Sequence, residues 1–126
     1  TDLPVPESVL VVRRDWLAGH REEVHDLLVA LLQAHRRIAS QPDWAVAQAR
    51  RIYADEEPAF VEAAVRAYAQ RRIWDPNGGI QDADEVRELV AFLKSTGDLP
   101  ASAPERPETY ADLGPLGAVI AQLGRE

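Results

Sequence analysis

The sequence predicts a mostly α-helical chain carrying one β-strand near its N-terminus. Apolar residues recur at three- and four-residue spacing through most of its length, which is the period of an amphipathic helix. Proline and acidic pairs stand where helices begin, as at Pro42-Asp43 and Glu57-Pro58. The exception to the helical period is Val9-Leu10-Val11-Val12, a run with three β-branched residues.

Residues 1–8 hold Pro4 and Pro6, which fix φ and cannot donate to a ladder, so they read as an extended linker. Residues 9–14 read as a buried strand ended by Arg13 and Arg14. A lone strand cannot pair its own N–H and C=O groups. With no second strand in sight, the chain reads as cut from a larger α/β protein, or as pairing with another copy of itself.

Residues 15–97 read as helices. Asp15 caps a short turn that Gly19 interrupts. From His20 to Ala39, a stripe of Val24, Leu27, Leu28, Leu31, His35 and Ile38 marks a core-facing helix. Ser40-Gln41-Pro42-Asp43 stops it and starts the next, which runs to about Ala54 and carries Trp44, Ala45, Ala49, Ile52 and Tyr53. A third runs from Pro58 to Arg72 with Phe60, Val61, Ala64, Val65 and Tyr68 on its buried side. Trp74-Asp75-Pro76-Asn77-Gly78-Gly79-Ile80 is the turn-rich break between two long amphipathic segments.

Beyond that break, Asp82 and Glu85 have capping-box spacing, Val86, Leu89, Val90 and Leu93 make a stripe, and Gly97 suits a left-handed C-terminal residue. Residues 98–109 form a Pro-rich linker with Pro100, Pro104 and Pro107. Residues 110–126 read as a terminal helix buried through Leu116, Val119, Ile120 and Leu123.

Composition narrows the function classes. A chain of 126 residues with 46% hydrophobic content builds one core. A formal charge of -7 disfavours nucleic acid and anionic membrane surfaces as partners. The basic residues are arginines apart from Lys94, so there is no polybasic tract. Absence of Cys removes thiol catalysis, Cys-ligated zinc and disulfides. No apolar run approaches the roughly 20 residues of a membrane span, which points to a soluble piece. With no Met, and with Thr1-Asp2-Leu3-Pro4 at its start, the chain reads as processed or as a fragment.

The chemistry-bearing groupings do not assemble a catalyst. His20 and His25 are five apart, about 140° around a helix, whereas a helical zinc pair needs a spacing of four. His35, inside an apolar stripe, reads as a hydrogen-bonded, half-buried core residue. Asp82, Asp84, Glu85 and Glu88 lack a calcium-loop pattern and suit a helix N-terminus. Asn77-Gly78-Gly79 lacks phosphate-loop spacing, and Ser8, Ser40, Ser95 and Ser102 have no nucleophile-elbow context. Trp74 reads either as an aromatic plug on the third helix or as the wall of a cleft.

Taken in order, Val9-Leu10-Val11-Val12-Arg13-Arg14-Asp15-Trp16-Leu17, a Leu-rich helix, Gln41-Pro42-Asp43-Trp44-Ala45, the Trp74 to Ile80 stretch and Val90-Ala91-Phe92-Leu93-Lys94-Ser95-Thr96-Gly97-Asp98-Leu99 make a series. In that series the chain resembles the C-terminal part of ABC-transporter substrate-binding proteins of the nitrate/sulfonate/taurine and thiamine-pyrimidine type. His20-Arg21 departs from it, standing where relatives have a proline after the His.

The resemblance implies a fragment of an α/β two-lobed type II periplasmic-binding-protein fold. It implies extracytoplasmic binding of a small-molecule solute for an ABC importer, with permease subunits and a missing N-terminal lobe as partners. Location would be periplasmic or extracellular, with a lipid anchor an option for the full-length protein. Neither enzymatic activity nor a cofactor is expected. By analogy, ligand contacts fall on Pro6, Glu7 and Ser8 at the mouth of the returning strand, and on Trp74 and Asn77.

The competing reading is a helical interaction domain without a small-molecule ligand, standing alone or dimeric through the exposed strand. A third, an enzyme like the thiamine-precursor-synthesising relatives, places its catalytic residues upstream. Burial of large aliphatic groups at roughly 1.5 to 3 kcal/mol each makes the long helix the anchor of the piece. Leu28→Asp is expected to abolish soluble expression, measured as the soluble fraction against wild type.

Overall fold

The structure, a computed structural model, describes residues 9–126. In chain order these residues form α1 (Arg14–Gly19), α2 (Arg21–Ser40), α3 (Pro42–Ile52), α4 (Pro58–Gln70), α5 (Ala83–Thr96), a 3-10 turn (Pro107–Thr109) and α6 (Gly114–Leu123). No strand occurs among the described residues.

That finding corrects the fold class. Val9 to Val12 is irregular and solvated, with Val9 68% and Val11 81% exposed. β-Branched composition favours a pleated, half-buried surface, and where no neighbouring strand supplies one the backbone groups go to water instead. An α/β two-lobed fold is incompatible with this all-helical architecture, and the strand that was to return toward a first lobe is absent.

The helix punctuation follows local chemistry. Gln41 donates its N–H to Arg37 O at 2.8 Å, closing α2, and Pro42 opens α3 at a position where a missing N–H costs nothing. The Arg37 guanidinium lies 4.0 Å from the Trp44 ring centroid, a cation–π contact that spans this break. Glu57 caps α4 by accepting from Phe60 N at 3.2 Å. Asp82 and Glu85 form a complete capping box on α5, and Gly97 ends it at φ 84.

The end of α4 is less expected. Arg72 N–H donates to Ala69 O and Ile73 N–H to Tyr68 O, both at 3.1 Å, the paired bonds of a Schellman motif. Its left-handed position, usually glycine, is filled by Arg72 at φ 54.

α2 is the shared wall of the molecule. Toward one side Ile38, with Trp44 and Ala49, packs on a cluster of Ala45, Val46, Val61 and Val65 inside the α3–α4 hairpin. Toward another, Leu28, Val29 and Leu32 meet Leu116, Val119, Ile120 and Leu123 of α6. Leu32 (2% exposed) and Val119 (0%) are the centre of that second cluster. Beyond it, α5 rests on the 3-10 turn, with Val86, Val90 and Pro107 buried.

The stripes read from sequence are wider than the faces the fold covers. Leu27 and Leu31 on α2 and Phe60 and Tyr68 on α4 were expected inside and are exposed, and Ile52 and Tyr53 at the end of α3 are exposed as well. The reason is partner geometry: α6 covers the Leu28/Leu32 side of α2, which turns Leu27 and Leu31 outward.

Neighbouring leucines should therefore differ sharply. Leu32→Ala is expected to cost about 2 to 5 kcal/mol, as for a large-to-small change in a packed core, and Leu31→Ala under about 1 kcal/mol. Urea denaturation of the two variants checks this.

Candidate functional site

Two places concentrate unusual chemistry, and the first is the break from Trp74 to Ile80. Its backbone folds tightly: Asn77 N–H donates to Asp75 Oδ1 at 2.7 Å, and Gly78 N–H to Asp75 O at 3.0 Å. Pro76 is fully buried. Gly78 sits at φ 86, and a Cβ there would lie 2.9 Å from Leu116 Cδ1 and 3.4 Å from Leu32 Cδ1. Glycine is thus required by the backbone conformation, and a side chain there would also push the Leu116 tip aside.

Side chains from α2 hold this loop. His35 Nδ1 pairs with Asp75 O at 2.9 Å, which makes His35 the half-buried, hydrogen-bonded residue expected. Arg36 Nε donates to Pro76 O at 3.0 Å, Nη1 to Leu123 O at 3.2 Å and Nη2 to Gly124 O at 2.5 Å. The same guanidinium lies 3.9 Å from Glu126 Oε1 and is only 14% exposed. One cation therefore satisfies a loop carbonyl and the orphan carbonyls after α6 together.

The two sequence-predicted site residues that the structure describes both belong to this junction. Asn77 exchanges paired amide bonds with the main chain of Glu126, at 2.7 and 3.0 Å. Trp74 is half-buried, edge-on to Tyr68 at 5.6 Å between centroids. Pro6, Glu7 and Ser8 lie outside the described residues.

The second place is the corner joining α3 to α4. Tyr53 N–H donates to Ala49 O at 2.8 Å and Glu56 N–H to Tyr53 O at 3.1 Å, and the Glu57 cap completes a defined turn. On it stand Ile52, Tyr53 and Phe60, 75%, 59% and 65% exposed, beside Asp55, Glu56 and Glu57. Sequence periodicity placed Phe60 on a buried face and gave Ile52 and Tyr53 no face. The available signal was Asp55-Glu56-Glu57 between them, since three carboxylates in a row do not enter a core unpaired.

Along the hairpin below the corner, charges are paired. Arg50 Nη2 meets Glu62 Oε2 at 2.7 Å, and Arg66 bonds Glu62 at 2.9 Å and Asp43 at 2.7 Å. Asp43 and then Glu62 hold the Arg66 guanidinium more firmly protonated than usual. These groups line a shallow cleft of about 200 Å³.

A larger cleft of about 470 Å³ lies open to solvent beside Val12, Arg13, Asp15 and Trp16. There the Arg13 guanidinium holds the Asp15 carboxyl below its ordinary range, with Trp16 N–H helping at 2.9 Å. His20 stacks on Trp16 with 4.2 Å between centroids, and His25 Nε2 pairs with Gln122 Oε1 at 2.7 Å. The two histidines thus face different partners, and the described residues contain no metal-ligating group of three or more His or carboxylate residues.

Comparison of the chain with family models, curated proteins and solved structures gave no match. The resemblance to nitrate/sulfonate/taurine and thiamine-pyrimidine binding proteins is therefore corrected on two grounds, the absence of any family match and the all-helical fold. With it goes solute capture for an ABC importer, since the α/β lobes that close around a solute in that family have no counterpart here.

If Arg36 is the clasp its contacts describe, Arg36→Met should cost about 2 to 3 kcal/mol, because it strips charged hydrogen bonds while keeping the apolar stem. Hydrogen exchange should accelerate in α6 before it does in α3, and mass spectrometry of the exchanging chain reads that order.

Proposed function

We propose that this chain is a helical protein-interaction domain, acting without a small-molecule ligand or a catalytic step, and that the α3–α4 corner is its docking surface. The observation that carries this reading is the exposure of Ile52, Tyr53 and Phe60 on a turn whose backbone is fixed by hydrogen bonds. Aromatic and aliphatic groups carried on a turn whose backbone is already fixed need little main-chain ordering on contact, and they gain the burial of their exposed faces.

The charges around them fit a docking rim. Carboxylates beside an apolar centre orient an approaching partner and are set aside from the dry middle of the contact. No helix among the described residues is long and apolar enough to cross a membrane. An extracytoplasmic location followed from the family resemblance and has no other support.

Photo-crosslinking tests the reading. With benzoylphenylalanine at position 53 in an extract of the source cells, discrete adducts are expected, and with the same probe at exposed position 33 on α2 they are not. Ile52→Ser combined with Phe60→Ser should remove the adducts while leaving the helical circular-dichroism melt in place. Equal adducts from both positions, or adducts untouched by the double substitution, would overturn the assignment.

A further inference from the structure

We propose that the partner of the α3–α4 corner is the opposite end of α4 in a second copy of this chain, so that copies associate head to tail. The proposal rests on the interaction reading above and names its occupant. It starts from the distribution of charge along the α3–α4 hairpin. Along its length, from Asp43 in the first turn of α3 to Arg50, Glu62 and Arg66, charges satisfy one another within the chain. At the two ends the net charges are opposite, and among the described residues these groups make no ion pair: Asp55, Glu56 and Glu57 outnumber Arg51 at the corner before α4, and Arg71 and Arg72 follow α4.

Each end also exposes apolar groups. Ile52, Tyr53 and Phe60 flank the carboxylates, and Tyr68 and Ile73 flank the arginines. α4 has 13 residues and so is about 20 Å long at roughly 1.5 Å per residue, which keeps its own two ends apart. A neighbour displaced along the helix axis brings them together. In that arrangement the helix dipoles align, guanidinium groups meet carboxylates, and the aromatic and aliphatic side chains close over each other.

Arg72 fits this role. Glycine would hold its left-handed position without strain, yet the chain keeps a second cation there on the outer surface. Because the two contacting surfaces differ, the interface is heterologous and builds a ring if its rotation closes or an open filament if it does not.

The test uses the chain and two charge-reversed variants in analytical ultracentrifugation at low salt. Wild type is expected to show concentration-dependent association that weakens as salt is raised. Asp55→Arg/Glu56→Arg spares the Glu57 cap but spoils the corner, and Arg71→Glu/Arg72→Glu spoils the far end. Each variant alone should be monomeric, because like charges then face each other across the contact, and an equimolar mixture should regain association, since the native corner of one meets the native far end of the other and the two reversed ends also carry opposite charges. Arg72→Gly provides a variant with no folding penalty, and it should raise the melting temperature while weakening association.

A wild-type chain that stays monomeric up to about 1 mM, the concentration matching a barely measurable affinity, would overturn the proposal. So would a mixture of the two variants that fails to associate, or an Arg72→Gly chain that associates as wild type does. If the chain is monomeric but position 53 still captures another protein, head-to-tail association falls and the docking surface stands.

Discussion

The half-buried guanidinium of Arg36 is the interaction on which the arrangement of the rest depends. Main-chain carbonyls at the end of a helix or in a tight turn need donors, and here two sets of them, Pro76 O in the loop and Leu123 O and Gly124 O after α6, converge on one side chain of α2. Arginine suits the task because its planar fork offers several donors in fixed directions and keeps its charge when partly desolvated. The apolar contact of α6 with α2 and the close approach of Gly78 to Leu116 are consistent only with the loop and tail held in that register. A loop with the composition of an active-site turn thus has its polar groups committed to holding the fold together.

By contrast, the α3–α4 hairpin leaves its ends unoccupied. Its interior is lined by small residues, Ala45, Val46, Val61 and Val65, which let the two helices approach closely but cover only a narrow seam. Larger side chains on either flank, Ile52 and Phe60 above all, are largely exposed among the described residues. Economy of core and richness of surface come from the same choice of small residues. An interaction domain needs both, a scaffold stiff enough to hold a surface and a surface that folding does not consume.

What the sequence made legible was local. The capping box of Asp82 and Glu85, the stop at Gly97 and the restarts at Pro42 and Pro58 each depend on residues within one turn, and each of these falls where it was read, whereas α3 and α4 end two residues short of their readings. What it hid was non-local. Arg36 lies between His35 and Arg37 with nothing to distinguish it, because its acceptors are 40 and 87 positions away. Leu31 and Leu32 are neighbours of equal hydropathy, separated only by where α6 docks. The β-branched run at Val9 failed because strand propensity is a statement about a neighbour that the described residues do not supply. The family resemblance failed for a related reason: a proline and an acid opening a helix, or a Pro-Asn-Gly-Gly turn between helices, are solutions any helical chain reaches, so their succession carried less information than its length suggested. Arg72 in a glycine's conformation gave no signal at all.

Placing two apolar clusters on different faces of α2 has a dynamic consequence. The α3–α4 cluster and the α6 cluster share that helix but no buried residue, so loss of one does not by itself open the other. Such a chain opens in parts, each a cooperative unit with its own free energy, and α2 is the element common to both. Whatever binds the hairpin stabilises that unit directly and reaches α6 through the rigidity of α2 and through the Trp74 to Ile80 loop that joins the end of α4 to the chain after α6. The long helix then acts as a lever between two semi-independent halves, and its stiffness, with that loop, sets how far an event at the corner is felt at the other side.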